Sequence, residues 1–149
     1  MTFEHALQFY VDGRWQSPES PVTAPVVDPA TEQVVGRIAL GGAGDVARAV
    51  AAARRAFPGF SQVPVAERAA LLERILALLE RRAGDFIDAM VTEMGAAISF
   101  VRASQLPFGV AHVRVAIEVL RRYRFLVVEG TTAIAREPIG VCGLITPWN

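Results

Sequence analysis

A single cysteine, Cys142, stands in 149 residues, so no disulfide can close within the chain and a reducing compartment suits it. Charge of one sign is not in excess. Fifteen basic residues face fifteen acidic ones, for a formal net charge of +0. Such a balance provides no long-range field to gather nucleic acid or an acidic membrane surface. Long apolar runs are missing as well: no stretch approaches the roughly eighteen uncharged residues of a membrane span. The opening Met1-Thr-Phe-Glu-His-Ala has neither the basic segment nor the apolar core of a secretory signal. The expectation is a cytoplasmic protein with no membrane or nucleic-acid partner. Histidine is scarce; His5 and His112 lie far apart, and no Cys/His/Asp/Glu cluster shows ligand spacing, so no metal site is expected. Repeats and low-complexity tracts are also lacking. Apolar residues, by contrast, make up 52% of the chain, too many for a disordered polypeptide. The length fits one domain with a real core.

Along the chain, Phe9-Tyr-Val-Asp-Gly-Arg-Trp15 sets an Asp-Gly turn between aromatic and β-branched flanks, a strong hairpin signal. Residues 17–25 carry three prolines and several hydroxyls and read as a surface connection. Val26 and Val27, an Asp28-Pro-Ala-Thr-Glu loop and residues 33–40 predict a second hairpin. Glycines at 41, 42 and 44 then mark a switch to helix. Val46, Val50, Ala53 and Phe57 recur at helical spacing, with Asp45 as a cap and Pro58-Gly59 as a stop. A further helix starts near Pro64, with a stripe from Leu72 to Met94 that Gly84-Asp85 can divide, and Gly95 is a C-cap candidate. A short helical segment reaches Gln105, Pro107 and Gly109 interrupt it, and residues 110–123 predict another helix with Val113, Ala116, Ile117 and Leu120 inward. Strands are expected at 131–137 and 141–145.

Each chemical signal competes with a plainer one. Gly42-Ala-Gly44-Asp-Val-Ala47 matches G-x-G-x-x-A at the start of a helix. A dinucleotide fingerprint also requires a second strand ending in an acidic residue about twenty positions on. That region is Ser61-Gln-Val-Pro-Val-Ala-Glu67, which opens another helix, so a loop and helix cap explain the glycines better. Arg121-Arg122-Tyr123-Arg124 closes a helix, where cations meet the negative end of its dipole. Cys142 falls mid-strand in this reading, as a packed thiol without the electropositive, open setting of a nucleophile. The Thr146-Pro-Trp-Asn149 turn differs. Pro147 fixes φ, Trp148 offers a flat apolar face, and the Asn149 amide can donate hydrogen bonds to an oxyanion. Taken as chemistry alone, a structural turn and a catalytic one remain equally open.

The motifs in their order resemble the N-terminal part of the NAD(P)-dependent aldehyde dehydrogenase family. The likeness covers the opening hairpin and Asp28-Pro-Ala-Thr-Glu-Gln-Val-Val-Gly36, similar to N-P-A-T-G-E-x-I-G. It continues through residues 45–57 and 68–79 to Glu137-Pro-Ile-Gly-Val141 and Ile145-Thr-Pro-Trp-Asn149, similar to P-x-G-V-x-x-x-I-x-P-W-N. By that resemblance Ile145, Thr146, Pro147 and Trp148 line the nicotinamide-ribose side of a cofactor cleft, and Asn149 is the oxyanion donor. It also implies oxidation of an aldehyde to an acid through a cysteine thiohemiacetal and thioester, with NAD or NADP as cofactor and a homo-oligomer when intact. The family's nucleophilic cysteine, general-base glutamate and pyrophosphate helix come later in its sequence, and no residue here replaces them. Glu93-Met-Gly-Ala96 stands where E-x-G-K-P is usual, and Asp28 and Glu32 where asparagine and glycine are commoner.

The resulting expectation is an α/β chain: the helical N-terminal portion of the coenzyme-binding domain, antiparallel β-hairpins and a first Rossmann-like strand, incomplete. Residues 1–128 are assigned to hairpins and helices, 129–140 to an oligomerisation-type strand, and 141–149 to the first strand and turn of the nucleotide-binding sheet. A buried parallel strand needs a crossover of a dozen or more residues, and none follows 141–149 in this sequence. The chain thus reads as a fragment, inactive by itself and binding no cofactor alone. Two rivals stay in view: a non-catalytic helical interaction module derived from a dehydrogenase, and a nucleotide-binding domain built on Gly42 and Gly44.

Overall fold

The structure, a computed structural model, describes residues 4–146. The first hairpin forms where the Asp-Gly pair places it. Strands β1 (Phe9–Val11) and β2 (Arg14–Gln16) pair antiparallel, with Tyr10 opposite Trp15. Asp12 at φ 56° and Gly13 at φ 76° give the two positive φ angles of a turn that matches strand twist. Across the pair, the Tyr10 and Trp15 rings meet edge-on at 5.3 Å, and His5 stacks on Trp15 at 4.2 Å.

Strands β3 (Thr23–Val27) and β4 (Val34–Ala39) form the second hairpin, with a register shift between Val26 and Val27. Strand β3 starts inside the segment expected to be a connection, and it holds Pro25. Both strands are edges, where a missing N–H is tolerated. The loop closes on itself. Asp28 N–H donates to Gln33 O at 2.9 Å, Glu32 N–H to Asp28 O at 2.8 Å, and Ala30 N–H to Asp28 Oδ1 at 2.8 Å.

Helix α1 (Ala43–Ser61) follows, then α2 (Val65–Arg81) with Pro64 at its N-cap, and α3 (Ala83–Met94). The expected stop at Pro58-Gly59 is corrected: α1 runs through it to Ser61. A proline keeps a helical φ; it forfeits its own N–H bond and crowds the carbonyl four residues back, a local cost that does not stop the one remaining turn from forming. Gln62 N–H still reaches Gly59 O at 3.2 Å, and Ser61 Oγ donates to Pro58 O at 3.0 Å. Helix α2 hands over to α3 at Arg82, slightly before Gly84-Asp85. Gly95 closes α3 in the left-handed conformation at φ 68°, as expected of a C-cap glycine.

Pro107 and Gly109, expected to interrupt a helix, do not. A short turn, α4 (Ile98–Phe100), leads into a π-helical turn, Val101–Gln105, and directly into α5 (Leu106–Arg122). The wider turn bonds Leu106 N–H to Val101 O and relaxes the geometry just before the ring of Pro107. Helix α5 packs on α2. Arg114 pairs with Glu80 and Arg121 with Glu73, so a step of seven along one helix retraces seven along the other, and the pair is antiparallel. Ala69, Val101 and Ile117 are buried there, while Ala116, expected inward, is exposed.

A third hairpin joins β5 (Leu126–Glu129) to β6 (Thr132–Ala135), turning at Gly130 with φ 60°. Strand β6 falls within the expected segment 131–137, whereas β5 lies outside every expected strand. The strand expected over 141–145 does not form: residues 136–146 carry no regular structure, and Ile145 is 98% exposed. Cys142 is exposed rather than packed. An apolar run becomes a strand only by bonding a neighbour, and none lies beside it among the described residues. The architecture is thus α/β, with helices and three two-stranded antiparallel sheets among the described residues. Its accessible surface is 11239 Å², against about 7,400 Å² for a folded monomer of this size. A large apolar area remains uncovered.

Candidate functional site

The segment after β6 crosses α1. Val50, Arg54 and Phe57 on the helix face Ile139, Gly140, Val141, Cys142 and Gly143 across an open groove of about 430 Å³. Of the expected Val46, Val50, Ala53 and Phe57 stripe, Val50 and Phe57 line this groove, and none of the four is buried. Val46 is 61% exposed, and the residue of α1 that is buried among apolar ones is Ala52. Arg54 supplies the groove's cation. It follows Val50 by one helical turn, the spacing that could have revealed it.

Of the residues expected at the site, Ile145 and Thr146 are exposed on the segment leaving the groove. Pro147, Trp148 and Asn149 lie outside the described residues. Cys142 lines the groove, with its Sγ 3.9 Å from Gly140 O, a weak contact with no base in it. Neither histidine lines that groove. His112 is exposed and meets the Phe108 ring edge-on at 4.5 Å. Among the described residues no cluster of three His, Cys, Asp or Glu is placed to hold a metal.

The glycine-rich start of α1 is occupied by the protein itself. Asp45 is 6% exposed, and its carboxylate accepts from Gly42 N–H at 2.9 Å and Glu19 N–H at 3.1 Å. Arg48 closes on it from the next turn, reaching also Ser17 O at 3.3 Å and Glu19 Oε1 at 3.7 Å. The Gly42 N–H, then the Glu19 N–H and the Arg48 guanidinium, hold the Asp45 carboxyl below the usual carboxylate range, against an opposing effect of burial. Gly44 is pressed on Glu19: a Cβ there would fall 1.8 Å from Glu19 Oε2. A phosphate would have to displace a buried carboxylate from the positive end of the helix. The glycines therefore serve a cap and a close approach, and α1 leads to α2 rather than to a second strand. Arg121 is likewise engaged, with Glu73.

The aldehyde dehydrogenase family model matches residues 15–149. Among curated proteins, a 3-succinoylsemialdehyde-pyridine dehydrogenase of Pseudomonas sp. is 44% identical over 143 residues, covering 95% of this chain and 30% of that protein. A putative aldehyde dehydrogenase of Staphylococcus aureus is 39% identical over 140 residues, 94% of this chain and 30% of that one. The chain thus spans about 30% of the length of the curated relatives it matches. Among solved structures, a mutant of aldehyde dehydrogenase C from Pseudomonas syringae, complexed with NAD+ and octanal, superposes with a TM-score of 0.94. It is 55% identical, over 97% of this chain and 30% of that one. An aldehyde dehydrogenase from Bartonella henselae gives a TM-score of 0.79 at 32% identity, over 83% of this chain and 26% of that one. With residues 15–149 matched, and the hairpins and helices following a solved member throughout, the chain belongs to the aldehyde dehydrogenase family.

Proposed function

We propose that this chain supplies the first part of the coenzyme-binding domain of an NAD(P)-dependent aldehyde dehydrogenase, and that residues 1–149 alone do not oxidise aldehydes. The observation that carries the reading is the Ile145-Thr-Pro-Trp-Asn149 signature, on a chain whose fold follows that of an NAD+-bound relative at a TM-score of 0.94. In this reading residues 1–128 are the hairpins and helices of that domain, 129–140 an oligomerisation-type strand segment, and 141–149 the segment that would become the first strand and turn of the nucleotide-binding sheet once a neighbouring strand pairs with it. The intact enzyme is then a cytoplasmic homo-oligomer acting on an aldehyde.

The chemistry assigns the chain one role. In the family's reaction a cysteine thiolate adds to the aldehyde carbonyl, and the resulting oxyanion needs donors aimed at it; the Asn149 amide would be such a donor. Ile145, Thr146, Pro147 and Trp148 would border a nicotinamide ring, whose chemistry would be that of a hydride acceptor. The remaining steps belong to groups this sequence does not hold. Its one cysteine, Cys142, is exposed on the open groove and has no base beside it. A glutamate-activated water would have to release the acid, and no carboxylate lines that groove.

Following NADH and NADPH absorbance with a panel of aldehydes tests the proposal, with far-ultraviolet circular dichroism to establish that the helices are formed. A folded chain with no turnover above a protein-free control is expected, and turnover overturns it. The rival interaction module calls for a covered, cooperative core. The exposed apolar surface of this chain favours the dehydrogenase portion instead.

A further inference from the structure

We draw no further inference here: the strongest candidate, the outward apolar stripe of Phe108, Val115 and Val119 on α5, is an unpartnered helix face, and nothing in the structure shows what covers it.

Discussion

At Asp45 one carboxylate ties Glu19 of the connection and Gly42 of the glycine turn to the first turn of α1, and its partner Arg48 reaches Ser17 O. Replacing it with alanine leaves the Gly42 and Glu19 N–H groups without their acceptor, and an unmet buried donor costs more than a bond gained. The expected outcome for Asp45→Ala is a melting temperature several degrees lower, measured by thermal denaturation at neutral pH. The sign of the pH effect follows from the lowered carboxyl. Its contribution is fully present above the unfolded-state value of about 3.9 and is lost as pH falls through the folded value. The stability gap between wild type and Asp45→Asn should therefore shrink in acid; a gap that widens there contradicts the assignment.

Glycines give a second test at the residue scale, because their surroundings differ. Gly95 has φ 68°, and a Cβ would lie 2.6 Å from Pro29 Cγ at the tip of the second hairpin. Gly95→Ala combines backbone strain with that contact and should cost at least about 1–2 kcal/mol in urea unfolding. Gly109 sits inside α5, and an added methyl group there would meet nothing within 4 Å. Gly109→Ala should gain up to about 1 kcal/mol through helix propensity. Glu32, at φ 59°, is the reverse case: Glu32→Gly relieves a left-handed non-glycine residue and should stabilise by up to about 1 kcal/mol. Equal effects at all three positions would show that these backbone angles do not govern stability.

At the scale of elements, the antiparallel α2–α5 pair holds the helical part together. Its ion pairs are solvent-exposed, and its apolar contact is not. Arg121→Ala should therefore cost less than about 1 kcal/mol, and Ile117→Ala about 2–5 kcal/mol, by equilibrium unfolding. A larger loss at Arg121 than at Ile117 would reverse the account of what joins these helices. The same elements show which features the sequence discloses. Asp12-Gly13 and Gly95 are legible because a positive φ is a local demand that few residues meet. Pro58 and Pro107 mislead because their cost depends on position, and a last turn and a π turn each absorb it. Strand β5 escapes a sequence reading because Leu126 to Glu129 gains its identity only from pairing with β6. Likewise, apolar content at 141–145 states a preference for burial but cannot supply the neighbour that provides it.

For the whole molecule, the decisive quantity is surface. Only Ala39, Ala52, Ala69, Val101 and Ile117 are buried apolar residues among those described, and Val101 is the largest fully buried side chain. The Val50, Arg54 and Phe57 face of α1 is legible as apolar and periodic, but its partner is not, since periodicity reports a face and never what covers it. Of the site, the type and order of the terminal residues can be read directly, whereas sequence order does not disclose which side chains would face them. Titration calorimetry with NAD+ and with NADP+ on the folded chain tests this most directly. Heats no larger than dilution, or saturation only at millimolar dinucleotide, are predicted; a micromolar dissociation constant would contradict the claim that these residues form one edge of a cofactor cleft and no more.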